Sequence, residues 1–177
     1  MTTLTFRSAT SSPYAVVARS TPDAVDVQNK RSLLTMSRLA EAQAMAAPVG
    51  AVILAVLQEA KHYTPRTERQ YRALAARGVQ VALFAHGWSG SVEAAPNLRL
   101  VGLAADDAAR DEWDVLVCTP TRRFGFVSID QHIPVADEMD RAFGWLTAHD
   151  PEAIGRAAEA LLLRVPTAPV RVPALLT

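Results

Sequence analysis

Two kinds of hydrophobic pattern alternate along the chain. Continuous apolar runs occur at "VGAVILAVLQ" (residues 49–58) and "VQVALFAHG" (residues 79–87). Such short, β-branched runs suit strands covered on both faces, as in the middle of an α/β sheet. "PNLRLVGLAA", "DVLVCTP", "FGFVSIDQ" and "AFGWLTA" read as further strands, and "AVVARS" (residues 15–20) as a candidate first one. The gap "TPTRR" suits a hairpin loop better than a crossover, so the strands around it pair antiparallel.

Between these runs the apolar positions recur at helical spacing. "TPDAVDVQNKRSLLTMSRLAEAQAMAAP" reads as one helix with Thr21 or Asp23 as cap, Leu33, Met36, Ala40 and Ala44 on one side, and Pro48 at its end. "TERQYRALAARG" is a shorter helix, capped by Thr64 or Thr67, facing inward through Tyr71, Leu74 and Ala75 and stopped by Gly78. "DDAARDEW" reads as a turn of helix with Asp106 and Asp107 at its start, where the helix dipole favours negative charge. "DPEAIGRAAEALLLRV" is the best-marked helix, with Asp150 as N-cap and Pro151 at the first helical position. Strands and helices alternate first and strands cluster later. The expected fold is a single-domain α/β sandwich, its mixed sheet parallel early and antiparallel late and flanked by helices.

Composition narrows the function classes. The chain has 177 residues, the size of one domain, and half of them are apolar. Lys+Arg and Asp+Glu balance at 18 each, so no net field favours nucleic acid or an anionic membrane. No apolar run is long enough to span a bilayer, and the first 20 residues lack the apolar core of a signal peptide. A cytoplasmic location is the corresponding expectation. Cys118, the single cysteine, sits inside "WDVLVC" and reads as a small buried hydrophobe.

Catalytic templates fail in turn. "GWSGS" lacks the spacing of a nucleophile elbow, and there is no phosphate-binding loop and no dinucleotide fingerprint. His62, His86, His132 and His149 have no metal-ligand spacing. His62 and His86 follow two inferred core strands, at the edge where α/β sheets bind ligands. No catalytic set and no metal site is expected, and no cofactor can be named. Asp106 and Asp107 fit helix capping; Glu112, directly before a buried strand, is less easily dismissed.

The order of segments from Val27 to Val165 resembles the DICT domain, a sensory module named for its occurrence with diguanylate cyclases and two-component systems. Four stretches carry the likeness: "KRSLLTMSRLAE", with a Lys, then Ser-Arg and a Glu three residues on; "VILAVLQEAKHYTPRTERQYRALA"; "DDAARDEWDVLVCTP", an acidic lead into Glu-Trp and a strand; and "RAFGWLTAHDPEAIGRAAEALLLRV". The resemblance implies signal sensing without a defined ligand. Family members occur fused to cyclases, kinases or helix-turn-helix heads. Here residues 1–26 form an N-terminal extension and residues 166–177 a Pro-spaced tail. A nearly stand-alone copy would therefore act through a signalling or transcription-regulatory partner, or be a fragment of a larger polypeptide.

Residue chemistry gives that expectation candidate positions. "QEAKHYTPRTERQY" leaves a core strand and enters a helix, where free amides meet anionic or polar ligands. Gln58, His62, Tyr63 and Arg66 in it are ligand candidates, with Trp113 and Trp145 as aromatic walls. Lys30, Ser37, Arg38, Glu41 and Glu112 are expected to form a structural or interface polar network, Arg38 pairing with Glu41 at i,i+3. The first reading is a non-catalytic sensory domain responding to a small ligand or partner. A ligand-free dimerisation module and an unrecognised enzyme on a nucleotide-binding-like sheet are the alternatives.

Overall fold

A computed structural model describes residues 11–166 and Pro173. The segment through Thr10 and most of the Pro-spaced tail lie outside the described residues. The chain forms one mixed eight-stranded sheet, ordered β1-β8-β7-β6-β2-β3-β5-β4. The strands are β1 (Asp26–Asn29), β2 (Val52–Glu59), β3 (Gln80–His86), β4 (Ser91–Ala95), β5 (Leu98–Leu103), β6 (Trp113–Cys118), β7 (Arg123–Asp130) and β8 (Ala142–Ala148). The neighbours β2-β3 and β3-β5 are parallel, and every other pairing is antiparallel. The early-parallel, late-antiparallel expectation therefore holds.

Helices α1 (Pro13–Ser20) and α4 (Pro151–Leu162) cover one face of the sheet; α2 (Lys30–Met45) and α3 (Pro65–Ala76) cover the other. Strand alternation splits β2 between the two cores. Ile53, Ala55 and Leu57 pack with Leu33, Ala40, Tyr71 and Leu74, while Val52, Leu54 and Val56 pack with Val17, Ile154 and Leu161. Both faces are buried, which is why this strand reads as an unbroken apolar run. Among the described residues, no helix is long and apolar enough to cross a membrane.

Three local expectations change. "AVVARS" is helical, within α1. Ser12 caps that helix by accepting the Ala15 amide at 3.0 Å, Pro13 stands in its first turn, and Val17 is its fully buried contact. The helix expected from Thr21 begins at Lys30 instead. Asn29 is its cap, accepting the Ser32 amide at 2.9 Å, and residues 26–29 form the edge strand β1 beside β8. "DDAARDEW" makes turns without a helix. Asp107 accepts the Ala109 amide at 2.8 Å and forms an ion pair with Arg164 across to the end of α4. Strand β4 is an addition to the expected elements, since its residues are half-buried or exposed and carry no apolar pattern.

The remaining elements agree. Thr64 caps α3 and Asp150 caps α4, each followed by Pro. Gly78 closes α3 with φ +84, a left-handed conformation that Gly adopts without strain. Cys118 is buried, and burial pushes its thiol up to about 11, so it remains protonated and inert.

Candidate functional site

The chain turns out of β2 irregularly. The pairing register with β3 shifts between Val56 and Glu59, and Gln58 sits in the left-handed region at φ 62. For a non-Gly residue that conformation costs on the order of 1 kcal/mol. Gln58 is buried, and its amide donates to the Asp111 carbonyl at 3.1 Å. That bond fixes which end of the amide is which and leaves the side-chain oxygen as an acceptor.

The next turn is held by His62. Its Nδ1 lies 2.7 Å from the Leu57 carbonyl. A carbonyl only accepts, so Nδ1 carries the hydrogen and Nε2 is left for other partners. Thr64 and Thr67 then bond to each other at 3.0 Å and start α3.

These segments form one wall of a cleft of about 270 Å³. α2 forms the opposite wall through Lys30, Leu34, Ser37, Arg38 and Glu41. Leu57 and Trp113 contribute apolar surface, and Arg66, Thr67 and Gln70 close the α3 side. Trp113 stands opposite Leu57 in the antiparallel register of β2 and β6, which brings it to the carboxyl end of β2. The cleft thus lies where the parallel half of the sheet meets the antiparallel half, outside the end of a parallel strand, a common place for ligands in α/β sheets.

Its charges are incompletely matched. Glu41 is partly buried, and burial raises its carboxyl above the usual range although Arg66 and Arg38 pull it the other way. The expected Arg38–Glu41 salt bridge is not formed; among the described residues, neither Arg38 nor Arg66 makes an ion pair. Ser37 bonds back to the Leu34 carbonyl at 3.2 Å. Lys30 forms an ion pair with Glu138, in the loop before β8.

The sequence candidates therefore fall into three groups. Gln58, His62, Arg66 and Trp113 line the cleft together with Lys30, Ser37, Arg38 and Glu41. Tyr63 stands outside it, packed edge-on against Trp88 with ring centroids 5.5 Å apart. Trp145 also stands outside, tilted against Phe126 at 6.1 Å, so the two tryptophans do not wall a common cavity. Thr64, Thr67 and Gln70 also line the cleft; the sequence marks the two threonines as cap candidates and does not single out Gln70. Their signal was available: Gln70 lies one helical turn beyond Arg66 and shares its face.

Glu112 belongs to a different place. Side chains alternate along a strand, so Trp113 faces α2 while Glu112 and Asp114 point to the α1 side. Glu112 accepts the Ser12 hydroxyl and, at 3.0 Å, the Tyr14 amide. Asp114 accepts the Ser128 amide at 3.0 Å, and its Oδ2 is buried without a hydrogen-bond partner. Burial raises both carboxyls, Asp114 the further because Glu112 is beside it. Arg164 pulls both the other way, so burial and the neighbouring carboxylate outweigh it most clearly at Asp114. Glu112 thus braces α1 and takes no part in the polar network of α2.

No group of three or more His, Cys, Asp or Glu side chains converges on a point among the described residues.

A sequence profile described as DICT, "Sensory domain in DIguanylate Cyclases and Two-component system", matches residues 13–127. No curated protein matches the chain significantly. Among solved structures, the crystal structure of a polyphosphate kinase from Porphyromonas gingivalis aligns with TM-score 0.49 and 11% identity, over 85% of this chain and 26% of that one. TrmBL2, an archaeal chromatin protein, aligns with TM-score 0.45 and 14% identity, over 85% of this chain and 55% of that one. The chain thus spans about a quarter and about half of the length of these two proteins.

Proposed function

The chain belongs to the DICT family of sensory domains of signal transduction, and from that premise we propose that it is a non-catalytic sensor whose ligand enters the cleft between α2 and α3. One observation carries this reading. Residues from α2, β2, α3 and β6 converge on a cavity at the sheet's carboxyl edge, and the side chains of Arg38, Glu41 and Arg66 there make no hydrogen bond or ion pair among the described residues. A sensor needs such groups, because a ligand moves a conformational equilibrium only by what it contributes to one state over the other.

The relay runs through Lys30. It lines the cleft and is ion-paired with Glu138, which also approaches Arg141; Arg141 in turn pairs with Asp130. Asp130 caps the start of the following loop through the His132 amide at 2.8 Å, and that loop exposes Ile133 and Val135. A ligand that draws Lys30 away from Glu138 loosens this loop and alters the surface a signalling or transcription-regulatory partner meets. Among the described residues, no set with catalytic geometry supports the enzyme alternative.

Thermal melts against nucleotides, cyclic dinucleotides, flavins, tetrapyrroles and small organic acids test the sensor reading. A bound ligand raises the melting temperature by mass action, about 2.7 kcal/mol of stabilisation at one hundred times its dissociation constant. The rise should vanish in Trp113→Ala and persist in Trp145→Ala. No rise across the panel, together with a concentration-dependent dimer in sedimentation, would replace it with the interaction-module reading.

A further inference from the structure

The cleft's size and charge together restrict what it takes. A volume of about 270 Å³ lies below the roughly 300–1,000 Å³ of pockets for drug-sized ligands. It is too small to enclose a tetrapyrrole, a flavin dinucleotide or a cyclic dinucleotide, and it fits one ring with one or two substituents. Two guanidiniums, Arg38 and Arg66, line it; both attract Glu41, yet neither forms an ion pair among the described residues. Lys30 adds a third cation, already committed to Glu138.

Against these stands one carboxyl, Glu41, partly buried between α2 and α3. It makes no hydrogen bond to the described residues. Gln58 is buried with its amide nitrogen donating to the Asp111 carbonyl, and its side-chain oxygen is an acceptor. Leu34, Leu57 and Trp113 supply the apolar wall between the two kinds of group. The first turn of α3 lies on the arginine side, and its dipole adds to the preference for negative charge.

We infer that the ligand is a small organic acid: an apolar or aromatic body, an anionic group held by Arg38 and Arg66, and an N–H or O–H donor directed at Gln58 and Glu41. This rests on the proposed sensing role of the cleft and adds the ligand's chemical class. Guanidinium meets carboxylate and phosphate alike through paired N–H donors, so the anion is set by charge and the donor by the acceptors opposite it.

Benzoate, phenyl phosphate, benzamide and benzylamine share a ring and differ in charge; anthranilate adds an amine donor to benzoate. Titrating each into isotopically labelled full-length chain, with the Trp113 indole and Gln58 amide signals as reporters, tests the class. The expected order is anthranilate tightest, benzoate or phenyl phosphate next, benzamide and benzylamine weakest. Replacing Arg38 and Arg66 by Gln together should weaken the anions about ten-fold or more, the loss of a charge-assisted contact, while the melting temperature of the free protein stays close to that of the parent. The comparison of benzoate with phenyl phosphate identifies which anion the pair prefers.

Binding of benzamide or benzylamine at the same signals, as tight as the anions, overturns the acid but leaves the cleft a binding site. Anion binding that survives both arginine substitutions also overturns it. Silence of these signals with every probe overturns the cleft as a sensing site and the acid with it.

Discussion

Glu112, Trp113 and Asp114 are consecutive residues that serve two differently finished polar regions. Trp113 faces the cleft under α2, where Arg38, Arg66, Glu41 and Gln58 have unused bonding capacity. Glu112 and Asp114 face α1, where Ser12, the Tyr14 amide and the Ser128 amide occupy three of their oxygens. One region is open and charged; the other is buried, and among the described residues only Asp114 Oδ2 in it is left without a hydrogen-bond partner. Buried polar groups tied off within the protein hold an element in place, whereas groups left unfinished beside a cavity are available to something else. Charge density alone does not separate the two.

The largest effect that would break this contrast lies on the closed side. Glu112→Ala strands the Ser12 hydroxyl and the Tyr14 amide under α1 and should cost about 2–3 kcal/mol, read from urea or thermal unfolding. Ligand titrations of the cleft should be unaffected once the variant is folded. If Glu112→Ala instead abolishes binding at constant fold, the two regions are one.

The next effect is the pH dependence of the acid pair. Both carboxyls are raised in the folded state, so folding takes up protons and the associated stability is complete below the ordinary carboxylate range, about pH 4. It is lost as pH climbs through the raised values. Asp114→Asn imitates the protonated form and should raise the melting temperature at neutral and alkaline pH while flattening its pH dependence. An unchanged pH profile in that variant would mean that the burial of Asp114 does not set the pH dependence.

On the open side the effects on stability are small and those on binding are not. Arg38→Gln and Arg66→Gln each remove an exposed cation with no ion-pair partner and should change unfolding free energy by less than about 0.5 kcal/mol. A larger loss would show that these arginines are structural and would close the distinction from the other side. The smallest effect belongs to the link between cleft and loop. Lys30→Gln removes the pair with the largely exposed Glu138 at below about 1 kcal/mol, screened further by salt. Its measurable consequence should be faster hydrogen exchange in residues 131–138.

How far these regions could be read from the chain depended on where their signals lie. The continuous apolar wording of β2 and β3 reports burial on two faces, and that local pattern was sufficient. Asp150-Pro151 and Thr64-Pro65 mark helix starts by backbone chemistry that needs no tertiary context. Ser12-Pro13 carries the same mark for α1, but the β-branched pair Val16-Val17 spoke for a strand. Burial of Val17 against α4 decided for the helix. Gln58, His62 and Arg66 were legible as a group because they are close in sequence at a strand's exit. Trp113 joined them, and Glu112 left them, through strand pairing and alternation.

The sequence by itself determined the fold class, the sheet's two strand-pairing regimes and the caps of α3 and α4, because each depends on periodicity or on a few adjacent residues. Only the tertiary structure decided that α2 and α3 face each other across the end of β2. Pairing across sequence-distant elements also left Arg38 and Arg66 without an ion pair among the described residues while Glu112 found several partners. Whether a charged side chain is satisfied depends on neighbours far along the chain, and local sequence carries no record of them.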